Sequence, residues 1–514
     1  DLVRGRIDSL LCPAGEAVAL IAPGSTVACG GFIGAAHPEA LTAALERRFM
    51  ATGAPRDLTL VYAAGQGDGK TRGLNHLGHK GLLRRVIGGH WGLAPRLGAL
   101  ALAGDIEAYN FPQGVICQLF RDIAAGRPGC ITHVGLDTFI DPAHGGGRLN
   151  AVTPAGLVER VELGGSTWLW YKSFPIHAGL IRATAADPHG NLVMDDEAII
   201  GEVLPIAQAA RNSGGIVIAQ VARLLDRPAD PKAVRVPGIL VDRVVLAAPA
   251  EHEQTFGNAH NPGFVTAGMA PAPPPLPMDE RRVIAARAAD ELRPGDIVNL
   301  GIGMPEGIAM VAAERGMLDL VTLTVESGPI GGLPAGGLSF GASLHPRAVV
   351  DQPAQFDFYD GKGLHFAALG AAQVDRHGHV NVSSFAGRVA GVGGFVNISQ
   401  NARSLVFCGT FTTGGLEVAV EGGRLRVVRE GRVPKFVAEV DQRGFSAARA
   451  RARGQKVLYV TERAVFRLGD DGLELAEVAP GIDIKAQVID LMGFTPRVGA
   501  VAPMSPRLFT APGP

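Results

Sequence analysis

The 514-residue chain has few aromatic side chains (6%), little charge (19% Asp, Glu, Lys and Arg) and only 5 cysteines. With 48 basic side chains against 49 acidic ones, the formal net charge is −1. That balance leaves no basic surplus to hold nucleic acid. No apolar run approaches the roughly 18 residues that a membrane span requires, so no membrane partner is expected. Cys12, Cys29, Cys117, Cys130 and Cys408 are odd in number and scattered, with no C-x-x-C pair. Reduced, mostly buried thiols in a cytoplasmic protein fit this spacing better than a disulfide framework. The charged stretch Asp1 to Arg6 runs into no apolar segment, so it is not read as a secretory leader.

What the chain has in excess is glycine, 70 residues, with 35 prolines spread throughout and 47% hydrophobic residues. Average usage would put glycine near 7%. An apolar content this high with so small a net charge excludes a disordered chain, and the dispersed Gly and Pro exclude a coiled coil. The length is too great for one core and implies two or three domains.

The clearest boundary is Ala270 to Asp279, A-P-A-P-P-P-L-P-M-D. Successive prolines fix φ and remove backbone donors, which makes a stiff extended connector. It separates an N-terminal domain, 1–269, from a C-terminal domain, 280–514, across the linker 270–279. The two halves echo each other in a fixed order. Gly24-Ser-Thr-Val-Ala-Cys-Gly-Gly and the following Pro38-Glu39 match Gly295-Asp-Ile-Val-Asn-Leu-Gly-Ile-Gly and Pro305-Glu306. Asp187-Pro-His-Gly-Asn matches Asp375-Arg-His-Gly-His, Gln208-Ala-Ala-Arg matches Gln400-Asn-Ala-Arg, and Pro237-Gly-Ile matches Pro480-Gly-Ile. Four matches in one order indicate an internal duplication, with extra loops in the first half.

Near-continuous Val, Ile and Leu runs predict strands covered on both faces at Leu58–Ala63, Gly215–Ala219, Leu240–Ala247, Ile297–Leu300, Leu320–Val325 and Leu405–Cys408. Amphipathic stretches such as Pro38–Phe49 and Asp279–Leu292 predict helices between them. The expected class is α/β, with two related open, mainly parallel sheets. Ligands of such sheets bind beyond the carboxyl ends of the strands.

Several loops sit at such ends. In Leu320 to Ser343 a β-branched strand reaches Glu326, followed by Gly328, Gly331, Gly332, Gly336, Gly337 and Gly341. One or two glycines suffice for a turn, so this density points to backbone passing very close to a ligand. Taken alone, Glu326 also reads as a solvated acid closing a strand. Gly387 to Phe395, G-R-V-A-G-V-G-G-F, offers successive N–H groups for a developing oxyanion. Gly301-Ile-Gly303-Met-Pro-Glu306 follows a strand and opens a helix, a place for a phosphate or carboxyl group. There Glu306 reads as an acid offsetting the helix dipole. Ala64 to Thr71, A-G-Q-G-D-G-K-T, is one residue from a Walker A loop, but Ala64 replaces the first glycine and Arg72-Gly73 interrupts the helix that should follow. The pairs His377/His379 and His76/His79 lack neighbouring ligands at metal spacing. No G-x-S-x-G elbow is present, and Ser327 and Ser343 have no local base.

Val325-Glu326-Ser327-Gly328 with Gly331-Gly332 resembles the catalytic-glutamate motif of the family I coenzyme A transferases. The likeness extends over nearly the whole chain through Gly65-Gln-Gly-Asp-Gly69, Arg72-Gly-Leu-Asn-His-Leu77 and Ile87-Gly-Gly-His-Trp-Gly-Leu-Ala-Pro95. Asn110-Phe-Pro-Gln-Gly114, Phe356-Asp-Phe-Tyr-Asp-Gly361 and Gly393-Gly-Phe-Val-Asn-Ile398 belong to it too, and they are similar to single-chain acetate/propionate (short-chain acyl) CoA-transferases. Lys362, where relatives often have Gly, and His37 before Pro38 depart from the pattern.

The resemblance implies two open α/β domains, equivalent to fused α and β subunits, and a ping-pong transfer of CoA between a short-chain acyl-CoA and a free acid such as acetate, propionate or a 3-keto acid. Glu326 would attack the thioester carbonyl, and a glutamyl-CoA thioester would follow. An ordinary glutamate, with a pKa of about 4.3, is ionised at pH 7 and needs no partner base. Gly391, Gly393 and Gly394 become candidates for the oxyanion donors, and Gln113 for a contact to the acyl group from the first domain, putting the site between domains. Gly301 and Gly303 become candidates for the CoA-binding turn. No metal and no permanently bound cofactor is expected; CoA is a substrate. A cytoplasmic homo-oligomer, tetramer or dimer, is implied by the family. An acyl-CoA hydrolase on the same scaffold is the alternative, separated from the transferase only by water access. A metabolite sensor would have little use for Glu326 among such glycines.

Overall fold

The computed structural model describes residues 5–511, so the first four residues of the charged stretch beginning at Asp1 lie outside them. The chain forms two compact units. The first takes residues 1–269 together with 325–357 and 388–397, and the second takes 270–324, 358–387 and 398–514.

In the first unit, Thr26–Cys29 (β1), Leu58–Tyr62 (β2), Leu83–Gly88 (β3), Glu107–Asn110 (β4), Ala178–Arg182 (β5), Ile216–Val221 (β6) and Arg243–Leu246 (β7) make a seven-stranded sheet in the order β7-β6-β5-β1-β2-β3-β4. Every neighbouring pair is parallel. β2 and β5 are buried at every position, which is why their sequences run apolar without alternation. Helices Glu39–Thr52 (α1), Pro95–Leu102 (α2), Gln113–Ala124 (α3) and Val203–Asn212 (α4) connect strands. α1 follows Pro38, has Glu39 in its first turn, and stops at Gly53, whose left-handed backbone (φ 69°) lets its N–H close on the Phe49 carbonyl. The extra residues of this half include an antiparallel sheet of Gly129–Thr132, Val158–Leu163 and Ser166–Lys172.

In the second unit, Ile297–Leu300 (β8), Thr322–Thr324 (β9), Phe366–Gly370 (β10), Ser404–Cys408 (β11) and Lys456–Val460 (β12) run parallel in the order β9-β8-β10-β11-β12. Ala464–Gly469 (β13) and Gly472–Val478 (β14) add antiparallel strands, and Arg497–Pro503 (β15) pairs parallel to β14. The helix Glu280–Ala289 (α5) begins where the proline-rich segment ends, with the Asp279 carboxylate accepting the Arg282 N–H at 3.1 Å. Two predicted strands are shorter than expected. Pro237 starts a 3₁₀ turn at Gly238–Leu240, and another 3₁₀ turn occupies Leu318–Leu320, so pairing begins only at Arg243 and Thr322.

The duplication is written into the geometry. The order β7-β6-β5-β1-β2 of one sheet is repeated by β12-β11-β10-β8-β9 of the other. Asp187 Oδ1 accepts the His189 and Asn191 N–H groups at 2.9 and 2.9 Å, and Asp375 Oδ1 accepts those of His377 and His379 at 3.0 and 3.1 Å. The echoed motifs therefore fold as the same turn. Among the described residues no helix is long and apolar enough to cross a membrane.

Candidate active site

Glu326 stands two residues beyond β9 and is 8% exposed. It is not the solvated acid that the strand-end reading allowed. Its backbone is held from several directions. The Gln355 side-chain Nε2 donates to the Val325 carbonyl at 3.0 Å and to that of Pro329 at 3.3 Å. The Val325 N–H donates to the Pro329 carbonyl and the Gly328 N–H to the Val325 carbonyl, both at 3.0 Å. Ser327 Oγ donates to the Gly341 carbonyl at 2.6 Å, so this serine fastens the loop.

The glycines after Glu326 have a different cause from the one expected. A Cβ on Gly328 would stand 2.0 Å from the Val350 carbonyl oxygen, and one on Gly332 would stand 2.2 Å from that of Leu344. Real Cβ atoms do not approach so closely. At these positions the missing side chain makes room for the protein's own returning backbone.

Pro112 precedes α3, and its first residue, Gln113, donates its N–H to the Gly393 carbonyl at 3.0 Å. The Gly114 N–H donates to Asn397 Oδ1 at 3.2 Å, and a Cβ on Gly114 would stand 2.6 Å from the Phe356 ring. Phe356 follows Gln355, the residue that holds Val325. One chain of contacts thus links the Glu326 loop, the start of α3 and the G-V-G-G segment, all within the first compact unit. Gln113 is 2% exposed, and its Nε2 is buried with no protein partner. Such an orphaned donor costs free energy unless a ligand accepts from it.

The three glycines are not equivalent. The Gly393 N–H donates to the Gly89 carbonyl at 2.8 Å, which removes it as an oxyanion donor in this conformation. The Val392 N–H is taken by Asn110 Oδ1 at 3.0 Å, and Asn110 Nδ2 in turn holds the Gly88 and Gly89 carbonyls. Among the described residues neither Gly391 nor Gly394 donates its N–H to a protein acceptor. The candidates narrow to these two.

Gly301 and Gly303 lie in the second unit, after β8. The Gly301 N–H continues the sheet by donating to the Ala368 carbonyl at 2.8 Å, while Gly303 (φ 85°) has open space where a side chain would be. A 3₁₀ turn, Met304–Glu306, precedes the helix Gly307–Glu314, and burial pushes the Glu306 carboxyl upward. The Walker-like loop is closed on itself. Asp68 Oδ1 accepts the N–H groups of Lys70, Thr71 and Arg72 at 2.9, 2.8 and 3.0 Å, leaving none of the three for phosphate.

Sequence reasoning gave no role to Gln355, Asn110, Glu202 or His90. Asn110 and His90 fell inside quoted blocks, but nothing local marks a side chain that braces another loop. Glu202 is fully buried; burial pushes its carboxyl up to about 8, its Oε1 accepts the Gly31 N–H at 3.4 Å, and its Oε2 has no partner. Among the described residues no group of three or more His, Cys, Asp or Glu is arranged to hold a metal ion.

The chain and its fold have known counterparts. The family model for coenzyme A transferase matches residues 13–247. Acetate CoA-transferase YdiF of Escherichia coli strain K12 is 41% identical over 513 residues, 99% of this chain and 96% of that protein. Caffeate CoA-transferase of Acetobacterium woodii is 43% identical, covering 94% of each. A crystal structure of the acyl-CoA transferase YdiF of E. coli O157:H7, a thioester complex with CoA, superposes with a TM-score of 0.93 at 40% identity, over 98% of this chain and 97% of that one. The chain belongs to the family I CoA-transferases. It is a CoA-transferase, with the mixed α/β, fused two-domain architecture of that structure.

Proposed function

We propose that this enzyme carries CoA between a short-chain acyl-CoA and a free carboxylic acid by a ping-pong reaction in which Glu326 is the nucleophile. The Glu326 carboxylate adds to the thioester carbonyl, and the C–S bond breaks to give an acyl-glutamyl anhydride and CoA thiolate. The thiolate then attacks the glutamyl carbonyl, the acyl carboxylate leaves, and a glutamyl-CoA thioester remains. An incoming carboxylate reverses the two steps and departs as the new acyl-CoA.

Carboxylates are weak nucleophiles, so the rate depends on fixed donors at the developing oxyanion and on binding energy from the remote part of CoA. The Gly391 and Gly394 N–H groups are assigned to the oxyanion, and the Gln113 side-chain amide to the acyl group. Gly303, with Gly301 beside it, is assigned to the CoA-binding turn. Acetate and propionate are the proposed acids, and a cytoplasmic homo-oligomer the proposed form.

The observation that carries this reading is Glu326 itself, buried on a loop whose backbone Gln355 and Ser327 hold in place. A glutamyl-CoA thioester in the similar YdiF would account for the thioester complex solved there. The test is to mix the enzyme with acetyl-CoA and propionate and follow propionyl-CoA against free thiol. Propionyl-CoA as the main product supports transfer, whereas mostly free thiol means water resolves the intermediate and the enzyme is a hydrolase. Intact mass after acyl-CoA alone should show a CoA-sized adduct on the wild type and none on Glu326→Ala.

A further inference from the structure

His90 is set into the same neighbourhood and has no role in the scheme above. It follows Gly88-Gly89 at the end of β3 and forms an antiparallel bridge with Gly391. Its ring is packed where side chains are missing. A Cβ on Gly65 would stand 2.6 Å from His90 Nδ1, one on Gly92 would stand 3.1 Å from Cε1, and one on Gly393 would stand 3.6 Å from Cδ2. Three glycines from three segments thus make room for one imidazole. Nδ1 is buried with no partner, while Nε2 also lacks a protein partner but lies on the ring's partly accessible edge. Cδ2, the atom bonded to Nε2, borders Gly393 as His90 Cβ does, and the His90 backbone pairs with Gly391, so the ring lies against the Gly391–Gly394 segment.

Protonation state and tautomer follow from this packing. Burial pushes the imidazole down to about 4, so it is neutral at pH 7. A neutral imidazole carries one N–H and one lone pair. A buried N–H without an acceptor is rarer and costlier than an under-satisfied acceptor, so the lone pair belongs on Nδ1 and the proton on Nε2.

We propose that His90 donates a hydrogen bond from Nε2–H to the acyl oxygen, beside the backbone N–H groups of Gly391 and Gly394. This rests on Glu326 being the nucleophile. A neutral donor suits both halves of the exchange. It stabilises the oxyanion of the tetrahedral intermediate, yet it does not trap the free carboxylate as a fixed positive charge would. It also explains why the ring is desolvated among glycines instead of being paired with an acid.

The experiment measures adduct formation by rapid quench and intact mass, with steady-state kcat and KM, for wild type, His90→Leu, His90→Gln and His90→Asn. Melting curves confirm folding. A glutamine amide reaches about where Nε2 lies, and an asparagine amide about where Nδ1 lies. Loss of one oxyanion donor typically lowers kcat 100- to 1000-fold. His90→Leu should lose about 100-fold in kcat and in adduct formation with little change in KM, and His90→Gln should recover at least tenfold of that. If His90→Leu does not fold, the comparison passes to the two amides, with His90→Gln expected to outrun His90→Asn by at least tenfold. Wild-type kcat in His90→Leu, or equal loss in folded Gln and Asn variants, overturns the donor role while leaving Glu326 in place. Absence of any CoA adduct on the wild type overturns the nucleophile, and this proposal with it.

Discussion

Gln355 holds the carbonyl of Val325, the residue before the catalytic candidate Glu326, at 3.0 Å, and the same amide nitrogen reaches the Pro329 carbonyl at 3.3 Å. One buried side chain therefore fixes both ends of the turn that carries the carboxylate. Gln355→Leu keeps the volume and removes the donor. Two carbonyls then each lose one of their two donors, keeping the backbone one, a loss of about 0.5–1.5 kcal/mol per hydrogen bond, and the carboxylate loses its fixed position. Expected outcomes are a fall in kcat of about tenfold or more and a melting temperature lower by several degrees, read by exchange assay and calorimetry. Unchanged kcat would show that the turn holds itself.

Gly328 tests the packing reason for the glycines around the site. Its backbone lies at φ 133° and a Cβ would stand 2.0 Å from the Val350 carbonyl oxygen. Gly328→Ala must push that backbone aside or move Glu326. Exchange activity should drop by about 100-fold or more, alongside a loss of roughly 2 kcal/mol or more in unfolding free energy. A soluble, fully active Gly328→Ala enzyme would contradict the close approach.

Glu202 sets an alkaline limit on stability. Its folded pKa, raised by burial to about 8, lies above the ordinary carboxyl value. The folded state then binds the proton more tightly than the unfolded one between those two values, so this group lowers stability as pH rises from about 4.5 to 8. Glu202→Gln imitates the protonated acid and removes the dependence. Between pH 6 and pH 9 the melting temperature of the wild type should fall further than that of Glu202→Gln, with a difference on the order of 2–4 kcal/mol at pH 8. Parallel melting profiles would show that the carboxyl titrates normally.

The paired turns make a fourth test. Besides its two N–H partners, Asp187 accepts from Asn191 Nδ2 and the Ala229 N–H at 3.0 and 3.1 Å, and Asp375 accepts from the Val440 N–H at 3.3 Å. Alanine at either position removes the acceptor of several half-buried donors, and each variant should lose about 1–3 kcal/mol in denaturant unfolding. If only one of the two loses stability, the turns do different work.

Much of the fold could be read from pattern. Near-continuous Val, Ile and Leu runs named the parallel strands because strands covered on both faces have no polar side to show. The repeated Asp-x-His-Gly turns exposed the duplication because one carboxylate capping its own following N–H groups is a local device. His177 and His365 extend it. Each Nδ1 accepts the N–H that starts the first strand of its sheet, from Thr26 at 2.8 Å and from Ile297 at 3.0 Å. Neither was visible in advance, since the partners are far apart in sequence.

The candidate site divides along the same line. As a candidate, Glu326 was legible because strand, acid and glycines are consecutive, and the Gly391–Gly394 run because successive backbone N–H groups make a short local motif. Which glycine keeps a free N–H was not, because the acceptor for Gly393 is the carbonyl of Gly89, some three hundred positions away. The proposed chemistry, transfer through the carboxylate of Glu326, was implied by the resemblance of the Val325-Glu326-Ser327-Gly328 segment to a family motif, not by the order of residues alone. Only tertiary structure decided which groups surround it. Burial, orphaned donors such as Gln113 Nε2 and the desolvation of His90 and Glu202 arise only when distant segments close together and exclude water, and no local pattern encodes that.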